Sequence, residues 1–419
     1  MPLRKIVALA VAVLLLSLAG VQAGGDKLTM SSKSKEARSY LEQAYAKIDN
    51  AQNNLARELV AKALQADSNF AWAHYVAGSI AQSPGQGKKH LEKAMALAKN
   101  ASDGERLYIE ANAASRAGDN AKAVEMFTRL SKMVPGERRV FFNLAQAEFE
   151  LAHYDAALAA LQTVGKMEPN YIQAYNLRGN TYLIQGDYAA ARKTYAEALR
   201  RTPADRGNLG SYFGIMNSFL YEGQIDSALA TLDRGLADFK VRSPQEVPVF
   251  VWNRKARVNL ENGRYDEAMK CYEQGYSLIP GSNLSPDDKM LWLGRMHHGV
   301  GRTLAHQGKF EAAWAHADTI KMMIEANGEK GAAYWPSYHY IAGYLKLESG
   351  DPAGAVEHLK QAQDNYFDKF LMARAYEGAG EKDKARELLD EIVNRPNTSF
   401  ERALIYKAAK AKLDMYSAK

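Results

Sequence analysis

Five of the nine histidines, His297, His298, His306, His316 and His339, fall in one region of the chain, and imidazoles so concentrated raise the question of a metal centre. Such a centre brings imidazoles onto one ion by standing four apart on a helix face beside a carboxylate. No two of these histidines do so, and ordinary surface or half-buried roles are expected, with no metal. Nucleophilic chemistry fares no better. The lone cysteine, Cys271, lies within "YDEAMKCYEQGY", which reads as a helix, and no ordered histidine partner is in view, so a buried thiol is expected. "SPGQGKK" (83–89) has the Gly-Lys pair of a phosphate loop but neither its earlier glycine nor its following serine or threonine. "GVGRTL" (299–304) lacks the last glycine of a dinucleotide fingerprint and follows no strand, so its glycines read as packing positions. No catalytic residue and no cofactor is expected.

A different chemistry recurs at intervals. Asn112, Gln146 and Asn180 each stand one residue past a small position and Asn217 at the matching place past Met216, with Asn143, Asn176 and Asn253 nearby on helices of the same kind. A carboxamide both donates and accepts, so a series of them can satisfy the backbone of an extended chain whatever its side chains. That requires elements holding the amides in register.

Those elements are visible as a 34-residue period. "GDNAKAVEMFTRLSKMVP", "AHYDAALAALQTVGKMEP" and "GDYAAARKTYAEALRRTP" align on Pro135, Pro169 and Pro203. They share alanine at 123, 157 and 191, then Phe127, Leu161 and Tyr195, then Leu130, Val164 and Ala198, one face of a helix. Upstream, Leu107, Phe141 and Tyr175 precede the small Ala111, Ala145 and Gly179 by four residues, marking an earlier helix in each period. Small residues let two helices approach, large ones fill the space beside them, and the proline ends the second helix. One pair cannot bury its apolar face, so the unit must stack on copies of itself.

The period and pattern resemble the tetratricopeptide repeat; the best copy reads Tyr175, Arg178, Gly179, Tyr182, Ala191, Tyr195 and Pro203, with Arg178 replacing the usual leucine. The resemblance implies an all-α, right-handed superhelical solenoid of about ten helix pairs. Its arrays would cover 36–240 and, less regularly, 249–398, with a loop insertion or hinge at 241–248 and a capping helix at 399–419. Phe400, Leu404, Ala408, Ala411 and Met415 would form that helix's single apolar stripe. Ser285 with Pro286, Asp287 and Asp288 reads as a capped helix start.

In this family the first helix of each pair lines an inner groove that holds peptides. The resemblance therefore makes Tyr108, Asn112, Asn143, Gln146, Asn176, Asn180, Asn217 and Asn253 the candidate peptide-binding residues. Asn112 and Asn143 match the asparagines of the family's two-carboxylate clamp, but Tyr108, Gln173 and Leu177 occupy its cationic places. The expected function is a non-catalytic scaffold for an unidentified protein or peptide partner. The alternatives are an envelope assembly or transport accessory that recognises a polymer such as a glycan, and, behind it, an enzyme with its site in 281–339.

The formal net charge is +6, with both signs interspersed, so no nucleic-acid partner is expected. "MPLRKIVALAVAVLLLSLAGVQAGG" has basic Arg4 and Lys5, an apolar stretch too short to span a membrane, and small residues ending at Ala23. It reads as a signal peptide over 1–23 followed by a short linker at 24–35, which implies a periplasmic or secreted protein without stable membrane insertion.

Overall fold

The structure, a computed structural model, describes residues 26–50, 52–204, 206–242 and 247–417. The signal peptide expected over 1–23 and the middle of the 241–248 insertion lie outside the described residues. Among the described residues, twenty-one α-helices and a short 3-10 stretch, Gly328–Tyr334, make up the fold, with no strand. None of these helices is long and apolar enough to cross a membrane. They follow one another as ten pairs and a terminal helix, Phe400–Ser417.

The repeat positions are the core. Ala123, Ala157 and Ala191 are wholly buried, and Phe127, Leu161 and Tyr195 are nearly so. Ser285 starts the helix Pro286–His306 as its sequence announced: its Oγ accepts from the Asp288 N–H at 3.1 Å, satisfying a donor that the helix leaves open. Gly299 and Gly301 are packing glycines. A Cβ on Gly299 would stand 2.0 Å from the Tyr272 ring, so only glycine lets that aromatic lie against the helix. The turn after helix Arg138–Glu150 carries Ala152 at a φ of 60°, where comparable turns use glycine, such as Gly118 and Gly186.

The chain divides into two compact units, 1–181 and 182–419, with the boundary inside helix Ile172–Ile184. In the N-terminal unit each pair packs on the next, and the first helices Ala71–Ser79, Asp103–Arg116 and Arg138–Glu150 also touch in sequence. Contacts among first helices put them on the inner side of the stack. The stretch 26–34, expected as a short linker, is tied across this unit. Asp26 O accepts from Gly136 N at 2.7 Å, Ser31 Oγ accepts from Ser102 N at 2.7 Å, and Leu28 is buried in the core.

In the C-terminal unit the first helices Val249–Glu261, Pro286–His306, Trp335–Glu348 and Tyr366–Gly378 likewise touch in order. The terminal helix lies on Tyr366–Gly378 and Lys382–Asn394, and it also reaches Leu209–Glu222 and Val249–Glu261 at the other end of the unit. Its expected single stripe is corrected: Ala408 and Ala411 are exposed and Met415 is 69% exposed. The buried residues are Phe400, Arg402, Ala403, Ile405 and Ala409, because two neighbours embrace the helix. Phe400 and Ala403 join the cluster around Met216 and Val251, while Ile405 and Ala409 join the one around Leu371 and Leu389.

Candidate functional site

The eight candidate groove residues meet different fates. Tyr108 is corrected outright: only 3% exposed, it packs between Trp72 and Phe127, with ring centroids 5.1 and 6.3 Å away. The close approach of first helices turns it into the core, so it offers no face to a ligand. Asn112 is also buried, and its groups are already used. Its Nδ2 donates to Tyr108 O at 2.7 Å and its Oδ1 accepts from Asn143 Nδ2 at 2.9 Å. Asn143 Nδ2 also lies 3.2 Å from the Tyr108 hydroxyl, making one closed network. Gln146 is exposed, and Asn176 and Asn180 are half-buried. The clamp-like asparagines of the N-terminal unit thus bond to each other.

Asn217 and Asn253 belong to the C-terminal unit, and here an extended segment does occupy the inner face. Residues 395–399 connect helix Lys382–Asn394 to the terminal helix without regular structure. Asn217 Nδ2 donates to Thr398 O at 3.1 Å, and the Tyr221 hydroxyl donates to Asn397 O at 3.1 Å. Backbone carbonyls are therefore read by one carboxamide and one phenol. Buried Arg402 locks the arrangement. Its guanidinium donates to Ile392 O (2.7 Å), Val393 O (2.8 Å) and the Tyr221 hydroxyl (3.0 Å), capping the open carbonyls of the preceding helix with a cation. Tyr221 and Arg402 were not singled out by spacing; the one hint is that Tyr221 stands four residues beyond Asn217.

Beyond this segment lies a cavity of about 420 Å³, bounded by the inner helices and by Phe400 and Glu401 of the terminal helix. Asn253 is in its wall, with Arg254, Arg257, Arg295 and Arg302. Arg257 pairs with Glu401 at 2.7 Å, and Arg302, almost wholly buried, pairs with Glu261 at 3.2 Å and with the Tyr340 hydroxyl. Arg254 and Arg295 have no ion-pair partner among the described residues. Burial and the neighbouring Arg257 push the Arg254 guanidinium down to about 10, and the same two causes lower Arg295. Asp368, buried in the same wall, is raised to about 7 by its desolvation. Arg257 counters burial at Glu401 and holds that carboxyl below its ordinary range.

The clustered histidines separate into unrelated contacts. His297 faces His316, Nδ1 to Nδ1 at 2.8 Å, and His339 faces His358 at 3.1 Å. His306 Nε2 meets the Tyr344 hydroxyl at 2.6 Å. His298 lies in the cavity wall with Nε2 on Ser337 Oγ at 2.9 Å, and burial, aided by Arg302, lowers it to about 3. Among the described residues no three metal-ligating side chains converge. Cys271 is buried beside Asn259, and burial pushes its thiol up.

Comparison with known proteins bears on the repeat itself. Models of the tetratricopeptide repeat match residues 108–164, 142–206, 251–282 and 369–398. The small glutamine-rich tetratricopeptide repeat-containing protein 2 of Mycosarcoma maydis is 24% identical over 134 residues. That match covers 32% of this chain and 38% of the relative, so the chain spans well under two thirds of that protein's length. A solved tetratricopeptide repeat protein from Parabacteroides merdae is 15% identical, covering 75% of this chain and 99% of that one with a TM-score of 0.37. Pseudomonas aeruginosa pilF is 16% identical, covering 50% and 93% with a TM-score of 0.32. With repeat matches in both units and helix pairs continuing between and beyond them, this chain carries tetratricopeptide repeats and shares the helix-pair fold of the proteins built from them.

Proposed function

We propose that the inner face of the C-terminal unit receives an extended segment of a protein partner, in the place now taken by the chain's own residues 395–399. The chain is a helical-repeat scaffold of the kind that binds proteins. What supports the finer reading is one observation: Asn217 and Tyr221 hold the carbonyls of Thr398 and Asn397, a contact that depends on backbone and is indifferent to side chains. The reading is non-catalytic. It also takes the leader over 1–23 to direct export, and sequencing of the purified protein's N-terminus should then begin at Gly24.

The test uses a labelled peptide copying residues 394–403 and the full chain. The resident segment competes at very high effective concentration, so wild-type protein should bind the peptide weakly. Phe400→Ala, which loosens the resident segment, should bind about tenfold tighter or more, and adding Asn217→Ala should reverse the gain. If the loosened variant keeps its helical circular dichroism yet shows no tighter binding, the groove reading is lost.

A further inference from the structure

The cavity beside that segment has properties the partner reading does not require. Four of its wall atoms are buried without a well-formed hydrogen bond among the described residues: Arg254 Nε, Tyr272 Oη, His298 Nδ1 and Arg302 Nε, with Arg302 and Tyr272 in interaction with each other. Tyr272, His298 and Arg302 are each more than nine-tenths buried. Buried donors are normally satisfied, so a concentration of unspent ones in a single cavity marks a place that something else fills. Water could satisfy hydrogen bonds there but not charge. Two of the four guanidinium groups are matched by Glu401 and Glu261, while Arg254 and Arg295 make no ion pair among the described residues: Glu401 attracts both but is already paired with Arg257, whose charge lowers both. Partly desolvated cations that share one carboxylate are under-neutralised, and an incoming anion lowers that cost.

The geometry points to a binding site for a small organic oxyanion, its carboxylate or phosphate held by Arg254 and Arg295 with donors from His298 and Tyr272, and its apolar part against Trp292 and Phe400. Guanidinium groups suit either headgroup because their N–H pairs match two oxygens at once. His298 can serve as donor: when the Ser337 hydroxyl donates to Nε2, the ring hydrogen lies on Nδ1, the atom left without a partner. The volume, about 420 Å³, suits a small molecule, and the aromatic walls suit an apolar body. Arg254 already lies over Phe213 and near Phe400, 4.0 and 5.5 Å from the ring centres, and Arg295 lies 4.7 Å from that of Trp292. These contacts orient the cations without neutralising them.

The full chain is titrated with phenyl phosphate, hippurate and inorganic phosphate at matched ionic strength, reading the thermal midpoint and the heat of binding. At least one of the two aromatic probes should bind saturably below about 1 mM and better than inorganic phosphate. Which of the two binds separates a phosphate from a carboxylate ligand. The affinity should drop about tenfold or more in Arg254→Gln and in Arg295→Gln. Arg295 is the more exposed of the two, so its variant decides the matter if Arg254→Gln does not fold. No saturable response to either aromatic probe overturns the site. So does an equal response in Arg295→Gln, or a response to inorganic phosphate that the aromatic ring does not improve.

Discussion

The two units build their inner faces from the same helix pairs and finish them in opposite ways. In the N-terminal unit the polar groups of the inner helices close on one another: Asn112 on Tyr108 and Asn143, and Trp72 Nε1 on the Tyr45 hydroxyl at 2.6 Å. The strap at 26–34 then seals the starts of the inner helices, with Glu105, wholly buried, accepting from the backbone of Ser31 and Trp72. In the C-terminal unit the polar groups close on a separate segment and leave a cavity with atoms to spare. Having the repeat therefore does not make a face receptive. Receptivity depends on whether neighbouring inner side chains consume each other's hydrogen bonds.

The largest effects come from the two locks. Arg402→Ala strands three acceptors and should cost the C-terminal unit about 3 kcal/mol, with Glu105→Ala costing the N-terminal unit about 2 kcal/mol by freeing the buried Trp72 N–H and untying the Ser31 N–H. Hydrogen exchange resolved along the chain should place each loss in its own unit. Equal loosening of both units by either change would break the comparison.

Acid should come next in size. His298 and His297 are held down to about 3 and about 4 by burial, so the unfolded chain takes up their protons first as pH falls below 6.5, and stability drops from there towards pH 4. Asp368 works against this. Its folded value of about 7 lies above the unfolded one, so protonation between pH 7 and pH 4 favours the fold. Burial lowers His316, His339 and His358 as well, so the histidines outweigh the aspartate and leave a net loss of about 1 kcal/mol or more at pH 5 relative to pH 7.5. Urea titrations at the two pH values, followed by exchange in the C-terminal unit, should show that loss, and His298→Gln should reduce it.

The smallest effect concerns a local strain in the N-terminal unit. Ala152→Gly relieves a positive φ and should stabilise that unit by about 0.5–1 kcal/mol, read as a raised urea midpoint. A lowered midpoint would mean that the alanine side chain packs more than it strains.

What could be read from the sequence divides along similar lines. The pairing was legible because each period repeats its small and large core positions: Ala157 and Leu161 are buried as their spacing demands. Tyr108 was misplaced because spacing gives the face of a helix but not how far the next helix rolls onto it. The terminal helix misled for a related reason, since a stripe at three and four residues describes burial on one side, and this helix is held on two. The cavity left almost no trace. Arg254, Arg257, Arg295 and Arg302 read singly as solvated surface, and only the i, i+3 interval from Arg254 to Arg257 and the two-turn interval from Arg295 to Arg302 set them in pairs on one face.

Closure of the C-terminal unit by its last helix also has a bearing on synthesis. In an ordinary repeat stack every contact is with the next repeat, so an array can consolidate as it leaves the ribosome. Here Tyr221 waits for Arg402, 181 positions later, and Glu222 for Lys407, 185 later. Loop closure over that distance slows folding, and until helix Phe400–Ser417 emerges the faces around Met216 and Val251 lack Phe400 and Ala403. Nascent chains halted before residue 400 should therefore expose apolar surface to chaperones, which makes arrival of helix Phe400–Ser417 the step that commits the unit to its fold.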